Sequence, residues 1–434
     1  MGILKLSMNS LKKDFEKSIF YFLTFLLTTI FIFSFFNLVF NPQAHINLGK
    51  NDATFVTPIA VFVILIAMIC VFLANNFYVS NKSKEISVIL MSGASVYQVG
   101  IYLFLQVFII MIFAIPFGWL LGYLLIPVIN SVFASTFVYD GGLFYLSKET
   151  NVATATILGF EVFWCSLLNL GYCVRSTISA ILREENKVSL AGSLGFMKPF
   201  AFKQRSSAAT NKIFLAFYLL PAVIFVFLKD SMSFLLVSFI GIIGVYGIIK
   251  KVIPYYIKQR QKNQSLEDPV QLMALGFFNS DMKKIFGLLL IMLLSSILLT
   301  CVTVYTLSQP LVSMVALMSY ISVMILMSLT IVFKIGMELN RRQRNYLHLS
   351  YLGYCLTQLK QVVYLEMRLF YGVILVMPLI YQLIILGNLL LSGQITIYLV
   401  VMILVIQIIP ILLSYGISIR LYMSIMPQGM TQQR

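Results

Sequence analysis

Apolar runs of about twenty residues or more recur along the whole chain, and no other feature restricts its fold as strongly. They lie near 17–40, 55–78, 99–131, 152–175, 212–228, 232–253, 284–307, 311–336, 361–390 and 396–422. A bilayer core offers no water to backbone polar groups, so each run must satisfy its own hydrogen bonds as a helix. Strands of a membrane barrel would alternate apolar and polar residues, and these runs do not. The expectation is an all-α polytopic membrane protein with ten transmembrane helices. Only 11% of the residues are charged, against about a quarter in soluble domains. The first run follows Lys12, Lys13 and Lys17, as a signal peptide would. It is long and no small-residue cleavage site follows it, so it reads as a retained span.

Charge sets the orientation. With a cytoplasmic N-terminus, nearly all of the 31 Lys and Arg residues fall on the inside. The outer loops keep Lys50, Lys148 and Lys229, while Arg368 lies within a span. This is the positive-inside pattern, and it places both termini in the cytoplasm. The net charge of +16 is therefore a topology signal that also suits anionic lipid on the inner leaflet. Because it is divided among short loops, it argues against nucleic acid as a partner. Cys70, Cys165, Cys173 and Cys301 fall within or beside spans and Cys355 in an inside segment, which is no disulfide framework. His45 and His348 are expected on opposite sides, so no metal site or cofactor is expected. No G-x-x-x-x-G-K-[ST] string occurs to cradle nucleotide phosphates. No intramembrane Ser/His or His/Asp arrangement suggests an enzyme.

The spans group as four, two and four. That grouping suggests a first four-helix unit at 1–185, a central pair with basic cytoplasmic linkers at 186–271, and a second four-helix unit at 272–434. An internal repeat at an offset of 260 residues supports the division. Lys84 aligns with Arg344, Gly93 with Gly353, Gln98 with Gln358, Leu105 with Leu365 and Gln106 with Glu366. Both copies occupy the inside segment between the second and third spans of their group. Like orientation implies parallel repeats, related by an axis along the membrane normal. In the first copy Ile86, Ile89, Leu90 and Gly93 follow helical spacing, with Lys82, Lys84, Glu85 and Ser92 on the other faces. A short amphipathic helix is expected there, and another in the second copy, where Arg342, Arg344, Tyr346, Leu349 and Gly353 stand in register. The recurrence favours docking of a two-fold symmetric cytoplasmic partner over a plain interfacial helix.

Lys84-Glu85-Ile86, Met91-Ser92-Gly93-Ala94-Ser95, Gln98 and Gln106 together resemble the signature of FtsX-like ABC permeases. Phe117-Gly118-Trp119-Leu120-Leu121-Gly122 resembles that family's glycine-rich third helix. Gly118 and Gly122 also form a small-xxx-small face suited to close helix packing. The second copy departs further, with Asn345 for Glu and Tyr354-Cys355 for Ala-Ser. Two such units in a ten-helix chain are similar to BceB-type permeases of the type VII class. The resemblance implies a permease subunit paired with two copies of a separate ATP-binding subunit, docked on the segments at 82–98 and 342–358. It also implies the cell membrane of a Gram-positive bacterium. BceB-type and MacB-type proteins carry a large extracellular domain, whereas the outer gaps here are short. That shifts the expected substrate from a peptide antibiotic toward a lipid-like amphiphile, or toward help from an extracellular subunit. The alternative is a non-transporting regulator partnered with a histidine kinase.

Ionisable groups inside spans mark functional candidates. Glu161 lies mid-span without an evident cation and is expected to face a polar cavity or the crevice between halves. Glu366 and Arg368 lie near the cytoplasmic end of the ninth span and, two residues apart, do not face each other. They are expected to meet interfacial water or carbonyls. Pro116, Pro127, Pro378 and Pro410 should kink or loosen their helices.

Overall fold

The computed structural model describes residues 3–40, 52–136, 146–175, 208–227, 231–263, 269–307 and 310–430. Most of the basic linker expected at 176–211 and the outer loops at 41–51 and 137–145 lie outside the described residues. All regular structure among the described residues is helical. It comprises α1 (Ile3–Lys13), α2 (Phe15–Val39), α3 (Asp52–Asn81), α4 (Ser83–Met91), α5 (Val96–Thr136) and α6 (Lys148–Arg175). Then follow α7 (Ala208–Phe227) and α8 (Ser231–Gly247), a π-helical turn (Ile248–Val252), α9 (Ile253–Asn263), α10 (Pro269–Tyr305), α11 (Pro310–Tyr351), α12 (Leu356–Leu391) and α13 (Ile397–Met430). Among the described residues, ten helical stretches are long and apolar enough to cross a membrane, at the positions the sequence indicated. The protein is an all-α polytopic membrane protein. Helices continue unbroken through Pro116 and Pro127 in α5 and Pro378 in α12.

The chain divides into two compact units that are not contiguous in sequence. The first holds Met1–Val188 with Thr306–Met337, and the second Ser189–Tyr305 with Glu338–Arg434.

In the first unit α2 packs along α5, α3 and α6. The α2–α5 approach is close because α5 presents glycines. A Cβ on Gly118 would stand 2.9 Å from the Leu26 carbonyl and 2.7 Å from Thr29 Cβ, and one on Gly122 would stand 2.6 Å from Phe33. Buried polar side chains link the remaining helices. Tyr21 donates to Asn75 Oδ1 (2.8 Å), and Asn75 Nδ2 donates to Asn169 Oδ1 (2.8 Å), joining α2, α3 and α6. Such interhelical bonds contribute about 0.6–2 kcal/mol each in a membrane. Thr24, Thr28 and Thr29 instead satisfy their hydroxyls on carbonyls one turn back in α2.

In the second unit α7 and α8 run antiparallel at glycine distance. Cβ atoms on Gly244 and Gly247 would collide with the Tyr218 backbone and the Phe214 side chain. α12 holds α7 through backbone carbonyls. Tyr218 donates to Met377 O (2.8 Å), Tyr381 to Tyr218 O (2.5 Å) and Asn388 to Phe225 O (2.7 Å). Gln382 reaches Thr300 of α10, and Tyr371 donates to Ser414 O of α13.

Candidate coupling segments

Two turns of the same design carry the segments singled out by the repeat. In the first, α4 ends at Met91 and Gly93 takes φ +92°. The amides of Gly93 and Ala94 reach back to Leu90 O and Ile89 O. In the second, Gly353 takes φ +95°, and the amides of Gly353 and Tyr354 reach Ser350 O and Leu349 O. A positive φ at a helix C-terminus releases the chain from the helix and satisfies its last carbonyls, and glycine does this without a Cβ penalty. The next helix starts alike in both copies. Gln98 Oε1 accepts from the Ser95 amide (2.9 Å) and Gln358 Oε1 from the Cys355 amide (3.1 Å).

Entry into the turns differs. In the first copy the helix breaks at Lys82, so α4 is a separate nine-residue helix. In the second, α11 continues to Tyr351, which corrects the expectation of a separate short helix there. Asn345 replaces the acidic residue found at Glu85, and among the described residues Arg342 is held by acids from other helices rather than by a neighbour one turn on.

Each segment rests on a buried cation. Lys82 is 2% exposed; its ammonium pairs with Asp14 at the α1–α2 junction and with Glu85 at 3.1 Å, and it donates to Ser10 (2.7 Å). Glu85 also accepts from Ser10 (2.9 Å) and Tyr102 (3.1 Å), so α1, α4 and α5 meet on one carboxylate. In the second unit Arg342 bonds Asp281 of α10 at 2.5 Å and Glu366 of α12 at 2.6 Å, and its guanidinium stacks on Phe277 at 4.3 Å. Lys284 bonds Glu338 at 2.9 Å beside it. Burial opposes the Arg342 charge, but Asp281 and then Glu366 outweigh it and hold the guanidinium charged above its usual range.

The proposed surface residues therefore separate into two groups. Lys82, Ile86, Arg342, Tyr346 and Leu349 are buried, and Ile89 is partly buried. They fasten the segments from within and do not present an outer face. Arg344, Gly93 and Gly353 are exposed, Glu85 is half-buried, and the side chain of Lys84 lies outside the described residues. The outward face is apolar: Val88, Met91 and Tyr97 are exposed in the first copy, and Tyr351 and Leu352 in the second.

The intramembrane candidates also separate. Glu366 is wholly buried on Arg342, which corrects the expectation of water or carbonyl partners, while Arg368 is exposed. Glu161 is buried within the first unit, where Tyr21, Cys70 and Cys165 lie near it, and neither carboxylate oxygen has a hydrogen-bond partner. Sequence reasoning missed Asp14, Asp281 and the buried Lys334, whose ammonium lies over the Phe77 ring at 4.5 Å. The usable signal was the repeat itself, since the 260-residue offset also pairs Lys82 with Arg342.

The ten spans and the paired turns define a multi-pass membrane protein with a duplicated helix–turn–helix segment. Residues 58–182, which run from α3 through the first turn into α6 and beyond, match the family described as FtsX-like permease C-terminal. No curated protein matches the chain.

Proposed function

We propose that this chain is the transmembrane permease subunit of an ABC transporter, powered by two copies of a separate cytoplasmic ATP-binding subunit. The observation that carries the reading is the duplicate turn. Two segments 260 residues apart share the same glycine conformation, the same glutamine cap and an apolar outer face fastened from within by a buried cation. A two-fold symmetric partner needs two such contacts. On this reading the FtsX-like units are 1–185 and 272–434, joined by the central pair at 186–271, and both termini are cytoplasmic. Val88, Met91 and Tyr97, with Tyr351 and Leu352, form the contact face. Closure of the ATP-binding subunits pulls on the segments, and the Lys82 and Arg342 clasps pass the movement to α2, α5, α10 and α12. The cargo is an amphiphile, a peptide antibiotic or a lipid-like molecule, met within the membrane plane.

The test is affinity capture of the tagged chain from its native membrane in mild detergent. The expected result is a stoichiometric ATP-binding subunit, lost in Val88→Asp/Met91→Asp and in Tyr351→Asp/Leu352→Asp while the permease stays monodisperse. Capture that survives both double variants would remove the docking assignment.

A further inference from the structure

The π-helical turn after α8 serves no part of the reading above. A π-turn accommodates one residue more than the α-helix and persists mostly where the extra residue has a use. Here it carries Lys250 and Lys251. Neighbours on an α-helix diverge by about 100°, yet both ammoniums lie on aromatic faces supplied by different helices. Lys250 stands 4.7 Å from the Tyr246 ring and 5.1 Å from Phe286 of α10, and Lys251 stands 4.9 Å from Phe214 of α7.

The α7–α8 register brings further groups to the same level. Gly244 faces Tyr218 and Gly247 faces Phe214, so one more turn sets Asn211 opposite Lys250 and Lys251. Asn211 is 4% exposed and neither atom of its amide has a hydrogen-bond partner. An unsatisfied buried amide is costly, and it signals a partner that the protein itself does not provide. Lys212 is exposed beside it.

We propose that this end of the α7–α8 pair, at Asn211, Lys212, Lys250 and Lys251, binds the phosphate of an anionic phospholipid. The lysines supply the charge, and the Asn211 amide donates to a headgroup oxygen directly or through one water. The rings of Tyr246, Phe214 and Phe286 keep the ammoniums from folding back into the helix bundle. A lipid is the fitting source of the phosphate because the site lies on two candidate membrane-spanning stretches, Thr210–Phe227 and Phe239–Arg260, whose apolar flanks acyl chains can follow. Assigning that lipid to the inner leaflet rests on the cytoplasmic termini proposed above; the site itself does not.

The test uses the full-length chain purified in detergent, with thermal unfolding followed against added phosphatidylglycerol, phosphatidylcholine or inorganic phosphate. Phosphatidylglycerol is expected to raise the midpoint, and phosphatidylcholine and inorganic phosphate are not. In Lys250→Met/Lys251→Met the phosphatidylglycerol concentration giving half the shift rises roughly 25-fold, as two interfacial lysines warrant. Asn211→Ala, which leaves both lysines, raises it several-fold and keeps the proposal testable should the double variant fail to fold. An undiminished response in both variants, or an equal response to phosphatidylcholine, overturns the site. A matching response to inorganic phosphate overturns the lipid. No ATP-binding subunit enters the measurement, so its failure and that of the transporter reading are separate results.

Discussion

Lys82 and Arg342, 260 residues apart, are each a buried cation clasped by two carboxylates beneath a glycine turn. The clasps differ in exposure. Asp14 and Glu85 are 19% and 33% exposed, whereas Asp281 and Glu366 are 7% and 0% exposed. Removing one partner of a buried ion pair costs about 3–5 kcal/mol, while exposed pairs contribute about 1 kcal/mol or less. Arg342→Met is therefore expected to lower the thermal midpoint far more than Lys82→Met, as read by size-exclusion after heating. Glu366→Gln should be milder than Arg342→Met, because Arg342 keeps Asp281. Equal losses in the two cation variants would contradict the difference in burial.

The two turn glycines have open space where a Cβ would stand, so only their backbone conformation resists substitution. Gly93→Ala and Gly353→Ala should each cost about 1–2 kcal/mol locally and leave global unfolding nearly unchanged. Their visible effect is weaker capture of the ATP-binding subunit. A double variant that captures it as well as the parent would detach the turn geometry from docking.

On the α2–α5 interface, Gly118→Ala should destabilise more than Gly122→Ala. At 118 the new methyl meets a backbone carbonyl and a β-branched Thr29, whereas at 122 it meets a Phe33 ring that can rotate. An overpacked contact costs about 1–3 kcal/mol, and Gly118→Ala belongs at the upper end. Unfolding midpoints of the two variants in one detergent decide the order.

Of the five cysteines, Cys355 alone is exposed. Its thiol pKa is lowered, chiefly by the Thr357 hydroxyl at 3.0 Å and then by the Gln358 backbone amide. More thiolate is present at neutral pH than in a free thiol, so labelling begins at lower pH. A membrane-impermeant maleimide should label Cys355 and spare the other four. In sealed vesicles labelling should require the cytoplasmic face, and bound ATP-binding subunit should protect the site. Labelling from the outer face would reverse the orientation.

Glu161 contributes nothing to stability through hydrogen bonds, since both of its oxygens lack partners. A buried polar group left unsatisfied costs about 1–3 kcal/mol. Glu161→Leu should therefore hold or raise the unfolding midpoint. A fall of several degrees would reveal a structural partner for the carboxyl.

The ten spans were legible because crossing a bilayer needs only length and apolarity, both local properties of the chain. Gly93 and Gly353 were legible as a repeated pair because glycine is the residue that a positive φ selects. Which side of the 82–98 segment is buried was not legible for a related reason. Helical spacing shows which residues share a side, but not which side is covered. α1 and α5 cover the Lys82 side of α4, and their contact arises far away in sequence.

By itself, then, the sequence determined the all-α membrane class and the number of spans, since a bilayer demands length and apolarity of each crossing segment, and the paired segments, since matching residues recur at one offset. Tertiary structure alone decided the rest. It set Asp281 and Glu366 on Arg342, left the Glu161 carboxylate without a hydrogen-bond partner, grouped Thr306–Met337 with the first unit and packed Gly244 and Gly247 against Tyr218 and Phe214. Each of these depends on which helix lies beside which. Close packing of glycine and buried charge settles that choice, and apolar periodicity along a single helix does not encode it.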